Sequence, residues 1–205
     1  MTQVPAAPAP GMITAVEVIE ESAPAPEPSQ ADRPELVGGR VKVSRLTPDG
    51  VRVELVDYDA DRMVDDESEY DAWPDEPKDR PLLLGQLLVE LTDAHGSATV
   101  VGVVSWHRVA YGPTSGSYAW NVGIGLAPSS RGLGIGTLAQ RLLVEWLFDT
   151  TPVHRIEAST DVGNLAEQRA LERAGFTCEG VLRSAQERAD GRHDLCSYSI
   201  LRSDL

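Results

Sequence analysis

The chain is short of cations: 18 Lys and Arg stand against 32 Asp and Glu, for a net charge of −14. A face that grips nucleic-acid phosphates needs clustered Lys and Arg, so general nucleic-acid binding is not expected. Cysteine is scarce as well. Only Cys178 and Cys196 are present, with no C-x-x-C or Cys/His spacing, so no metal site is expected and a reducing, cytoplasmic setting fits. No apolar run approaches eighteen residues, and the N-terminus has no basic start followed by an apolar core. Neither a membrane span nor a signal peptide is therefore expected, and no internal repeat is evident.

What the chain does have is enough apolar residue, 41% of 205, to bury one core. Residues 1–34 are rich in Pro, Ala and Glu and read as a disordered arm, in which only Ile13 to Ile19 could form a short strand or pair with a sheet edge or a partner. Residues 35–205 read as one domain. Val41 to Leu46 and Val51 to Leu55 alternate around Pro48-Asp49-Gly50, a hairpin signal. Asp57 to Asp79 then holds eleven acidic residues against Arg62 and Lys78, a net −9 of the chain's −14. This stretch is either a solvated loop or a lid with some helix around Ala60 to Tyr70. Leu82 to Leu91 and Thr99 to Val109 read as neighbouring central strands, followed by a Gly/Pro/Ser turn at Tyr111 to Ser117.

The functional centre is the run from Trp120 to Phe148. Val122, Ile124 and Leu126 recur at the period of a strand, and Leu138, Leu142, Leu143, Trp146 and Leu147 at that of a helix. Between them lies Arg131-Gly132-Leu133-Gly134-Ile135-Gly136-Thr137. Alternate glycines let a ligand approach the backbone, and the first turn of the next helix offers N–H groups at the positive end of its dipole, which together suit a phosphate or pyrophosphate. A Walker loop would need a lysine before Thr137, and a dinucleotide fingerprint would need G-x-G-x-x-G, which this spacing does not give. The bland alternative is a Gly-rich strand-to-helix turn.

Downstream, His154 to Thr160 reads as a strand, and Asn164-Leu-Ala-Glu-Gln-Arg-Ala-Leu-Glu-Arg-Ala-Gly175-Phe176 follows it. Asn164 is a good N-cap with Glu167 at the capping-box position, and Gly175 suits a helix end. Arg131-x-x-Gly134-x-Gly136 resembles the R/Q-x-x-G-x-G/A signature of the GNAT N-acyltransferases, and the Asn164 run resembles their N-x-x-S/A-x-x-x-L-x-x-x-G-F element. The closing stretch from Glu179 to Leu201 is similar to the RimJ/RimL-like branch. The resemblance spans about residues 82–205.

It implies an α/β (α+β) GNAT fold: a mixed, mostly antiparallel sheet with helices on both sides and a splayed pair of parallel strands at Trp120–Leu126 and Arg155–Thr160. The donor it implies is acetyl-CoA or another acyl-CoA, with pantetheine on Ile124, Gly125 and Leu126, pyrophosphate on Gly132 to Thr137, and Arg131 and Asn164 also at the coenzyme. The acceptor implied is a small amine or a peptide N-terminus, and the protein is expected to be a monomer or a homodimer. Alternatives are a non-catalytic acyl-CoA-binding module, or an enzyme that takes its acyl group from aminoacyl-tRNA, which the charge disfavours. The family's proton-transfer residues are altered here, with Asn121, Ser159, Glu167 and Leu171 at their places. Candidate catalytic residues are thus Glu157, Asn121 and Tyr198, with His107 and Cys196 behind them. Glu157 could equally be an ion-paired strand residue, and His107 a buried, hydrogen-bonded imidazole.

Overall fold

The computed structural model describes residues 43–205 apart from 48–49, 67, 72 and 74–82. The expected N-terminal arm and its short strand lie outside the described residues. Among the described residues eight strands form one sheet: β1 (Val43–Leu46), β2 (Arg52–Asp57), β3 (Leu83–Thr92), β4 (Ala98–Ala110), β5 (Tyr118–Leu126), β6 (Arg155–Asp161), β7 (Thr177–Arg188) and β8 (Gly191–Leu201). Their order is β1-β2-β3-β4-β5-β6-β8-β7. All neighbours are antiparallel except β5 and β6. The crossover between that parallel pair is α1 (Ile135–Thr150), as parallel strands require a long connection. A second helix, α2 (Leu165–Ala174), links β6 to β7.

The alternation of each strand sorts its residues onto two faces. Leu87, Val89, Val104, Trp106, Trp120, Val122 and Ile156 join α1 residues such as Leu142, Leu143 and Leu147 in one apolar cluster. Leu171 and Ala174 of α2 belong to the same cluster, so both α-helices share a face. Leu88, Val103 and Ala119 are buried outside it. That second face carries Glu90, which pairs with Arg62 of the acidic segment. There the expected helical lid takes the form of two 3-10 turns, Ala60–Arg62 and Glu69–Asp71, because eleven carboxylates in that stretch leave no apolar stripe for a longer helix to bury. No helix among the described residues is long and apolar enough to cross a membrane.

Candidate active site

β5 and β6 pair at only two positions, Trp120 with Ile156 and Asn121 with Glu157. β5 then follows β4 as far as Leu126, and β6 follows β8 as far as Asp161. Beyond Asn121 and Glu157 the strands therefore separate, and the backbone edge of Val122 to Leu126 that faces β6 has no strand opposite. A cleft of about 600 Å³ opens there. Buried backbone groups need partners, so this edge is a ready row of hydrogen-bond sites for an extended ligand.

The Gly-rich loop closes one end of the cleft. Gly132 and Gly134 have φ of 75° and 79°, the left-handed region that favours glycine. Gly134 is the N-cap of α1 and supplies no side-chain cap, and the first turn holds no acidic residue. The first intrahelical bond runs from Leu138 N–H to the Gly134 carbonyl, at 3.2 Å, so the N–H groups ahead of it are open to an anion. A Cβ on Gly136 would sit 3.5 Å from Leu126 Cδ1, which fixes the loop against the end of β5. Gly132, Gly134, Gly136 and Thr137 all line the cleft, as do Ile124 to Leu126.

Arg131 lines the cleft as well, but its guanidinium is engaged by protein carbonyls. It donates to Leu126 O at 2.8 Å and to Asp66 O at 2.7 Å, stapling the acidic segment to the end of β5. Asp66 consequently presses on the donor strand, with Oδ2 1.8 Å from where a Cβ on Gly125 would lie. Farther along, Tyr70 donates its hydroxyl to Gly163 O at 3.0 Å, and the Tyr70 and Trp73 rings lie 5.9 Å from the Arg188 guanidinium. Arg188 is buried and ion-paired to Asp161 at 3.1 Å. His193 bridges Asp161 and Asp190 at 2.7 and 2.8 Å, and these two hydrogen bonds hold its imidazole above the usual pKa. Desolvation raises Asp161, but the Gly163 N–H, His193 and Arg188 outweigh it and keep that carboxyl below its usual range. None of this rim was visible in sequence, because no spacing rule links Asp66 to Gly125 or Tyr70 to Arg188.

The expected catalytic residues separate. Asn121 and Glu157 face each other at the closed end of the V, Nδ2 donating to Oε1 at 3.5 Å. Glu157 is 6% exposed, accepts the Tyr111 hydroxyl at 2.5 Å and pairs with Arg155 at 3.3 Å. It is thus an ion-paired strand residue, one position behind the cleft-lining Ala158. Tyr198 is not with them. It lies opposite Ala158 on the helix side of the sheet, 1% exposed, with its hydroxyl pushed up to about 12 by burial, and it does not line the cleft. Ser199, its neighbour, is the residue opposite Glu157. Burial likewise pushes the His107 imidazole down, against an opposing pull from Glu157.

Asn164 lines the cleft and caps α2, its Oδ1 accepting Glu167 N–H at 3.2 Å. The expected capping box is only half made. Asn164 N–H is taken by Asp161 O at 2.9 Å, and the Glu167 side chain turns instead to Gln140 Nε2 of α1 at 2.8 Å.

Residues 27–177 match the family described as "Acetyltransferase (GNAT) domain". A probable N-acetyltransferase, YjcK of Bacillus subtilis (strain 168), is 37% identical over 84 residues, which are 41% of this chain and 45% of that one. The chain thus spans less than half the length of this curated relative. Among solved structures, ribosomal-protein-S5-alanine acetyltransferase from Vibrio fischeri has the same fold, with a TM-score of 0.57 at 20% identity over 79% of this chain and 98% of its own. Mycobacterium smegmatis RimJ, solved with CoA-disulfide, is 26% identical with a TM-score of 0.49 over 58% of this chain and 55% of its own.

Proposed function

Because the chain belongs to the GNAT acetyltransferase family, we propose that it moves an acetyl group from acetyl-CoA to a primary amine in the cleft between β5 and β6. The observation that carries this reading is the early parting of β5 from β6 beside an open helix start, one slot for an extended amide arm and one seat for a pyrophosphate. Pantetheine lies along Ile124 to Leu126, the pyrophosphate on Gly132 to Thr137, and Asn164 faces the arm from α2.

In the reaction the amine nitrogen bonds to the acyl carbon, the C–S bond breaks, the amine gives up a proton and the thiolate gains one. A backbone N–H on the unpaired edge of β5 stabilises the oxyanion in between, a contribution of about 3 kcal/mol. Glu157 is the carboxylate at the closed end, oriented by Asn121 and Arg155. A proton reaches it by relay, and the Tyr111 hydroxyl already touches it. Tyr198 serves the core instead of the chemistry. The free cysteines Cys178 and Cys196 fit a reducing, cytoplasmic setting. Thiol release from acetyl-CoA with a panel of amines tests the reading. CoA binding without turnover on any amine would favour a non-catalytic acyl-CoA module.

The acceptor is cationic: a polyamine-like or aminosugar metabolite, or a peptide with basic residues near its amino end. Supporting this, the acidic segment closes on the donor strand, with Asp66 against Gly125 and Glu69 on the same cleft. The segment from Asp57 to Asp79 carries a net −9, and a local excess of one sign concentrates ligands of the other at its edge of the cleft, an effect that salt weakens. Asp66→Asn is expected to raise KM for a cationic amine about fivefold, the equivalent of about 1 kcal/mol for a partly exposed pair, and to flatten the fall of kcat/KM with salt. A flat salt response in the unsubstituted protein would remove the steering role.

A further inference from the structure

We propose that Glu167 is a donor-binding residue that takes up a proton when acyl-CoA enters the cleft, presenting a carboxylic O–H to the coenzyme's pantetheine amides. The proposal rests on the donor site described above. Glu167 stands in the first turn of α2, with its side chain in the wall that joins the start of α2 to α1, and it lines the cleft together with Thr137 and Asn164.

The residue's local duty is lighter than its position suggests. Asp161 satisfies the Asn164 N–H, so the carboxyl of Glu167 is not needed as a cap. Among the described residues that carboxyl's one hydrogen-bond partner is Gln140, which is 2% exposed and whose Oε1 has no partner there. The Gln140 NH₂ donates to one carboxyl oxygen, and a protonated carboxyl keeps a carbonyl oxygen that can still accept it while the O–H stays available to the coenzyme. The Gln140 contact therefore survives a change of charge at Glu167.

Desolvation decides that charge. It lifts the Glu167 carboxyl to about 7, while the Gln140 N–H pulls the other way. The charged groups facing this cleft from the packed elements are Arg173 on α2, Asp161 and Arg188 at its rim, Arg131 on the loop, and Asp66 and Glu69 of the acidic segment. From α1, Arg141 donates to the Arg173 carbonyl. Loading the cleft excludes water and brings a polyanion to the adjoining helix start. Both changes disfavour a carboxylate, so the pKa rises further on binding. The sign follows by linkage. Affinity is full below the pKa of the empty site and weakens as pH rises above it, by up to about tenfold per pH unit until the pKa of the loaded site is reached.

Calorimetric titration of the full chain with CoA at pH 7.5, in buffers of different ionisation heat, measures the proton balance directly. Repeating it with dephospho-CoA removes the titration of the 3′-phosphate. The expected result is net proton uptake by the unsubstituted protein with both ligands. Glu167→Gln, and independently Glu167→Ala, should bind without that uptake and with an affinity nearly flat from pH 6.5 to 8.5. Binding without proton uptake, or uptake undiminished in both variants, would overturn the role of Glu167 and leave the donor site standing. Absence of any CoA binding would overturn both.

Discussion

Gly134→Glu should weaken CoA binding at least a hundredfold while leaving the fold intact. Gly134 sits at φ 79° as the N-cap of α1, and a Cβ built there meets nothing within 4 Å. The added side chain therefore costs the fold only left-handed backbone strain, about 1 kcal/mol. The cost to the ligand is larger, since a carboxylate would occupy the positive end of the helix dipole where the pyrophosphate must sit. A hundredfold loss corresponds to about 2.7 kcal/mol. Gly134→Ala separates the two effects, because it carries the strain without the charge and should lose only a small part of the affinity. Calorimetry with CoA checks both variants. Equal affinity in Gly134→Glu and the unsubstituted protein would remove the pyrophosphate from this loop.

The second large effect is on stability. Trp106 of β4 is 1% exposed, packs edge-on against Trp146 of α1 with ring centroids 5.1 Å apart, and lies opposite Val122 of the donor strand. Its ring also fills the space over Gly85, where a Cβ would come within 2.0 Å of it. Trp106→Ala removes those contacts and leaves a cavity, a change that costs about 3–5 kcal/mol in well-packed cores. The loss should fall at the lower end, because the substitution also deletes the buried indole N–H, which has no partner among the described residues. For a chain of this length the expected fall in Tm is on the order of 10 °C. Thermal unfolding followed by circular dichroism checks it, and a fall of only a degree or two would mean that β4 and α1 are not packed as described.

Local chemistry made much of the frame legible. The strand period of Val122, Ile124 and Leu126, the helical period from Leu138 to Leu147 and the glycines between them place β5, the loop and α1 within a residue or two. The Asn164 cap and the Gly175 stop delimit α2 in the same way. Periodicity says which residues share a face, yet it cannot say which face meets the ligand. Tyr198 is the case in point: only the pairing of β8 with β6 decides that it joins the helix-side core while Glu157 and Ser199 take the other side. The splay itself was legible through family resemblance alone, since no hydrophobic pattern distinguishes a paired strand edge from an unpaired one.

Residues that act through long-range contacts were the least legible. Arg131, expected at the coenzyme, lines the cleft and also holds Asp66 and Leu126 by their carbonyls. Glu167 looked like half of a capping box and instead meets Gln140 across the interface between the helices. In both cases the partner lies on another element, and short-range rules assign a side chain to the nearest duty it could perform.

A structure of the chain with bound CoA measures directly where the donor lies. The pantetheine arm is expected to run between β5 and β6 beyond Val122 and Ala158, bonded to the unpaired edge of β5, with the pyrophosphate on the loop Gly132 to Thr137. CoA bound outside this cleft, or β5 and β6 found paired along their full length with no room between them, would contradict that placement.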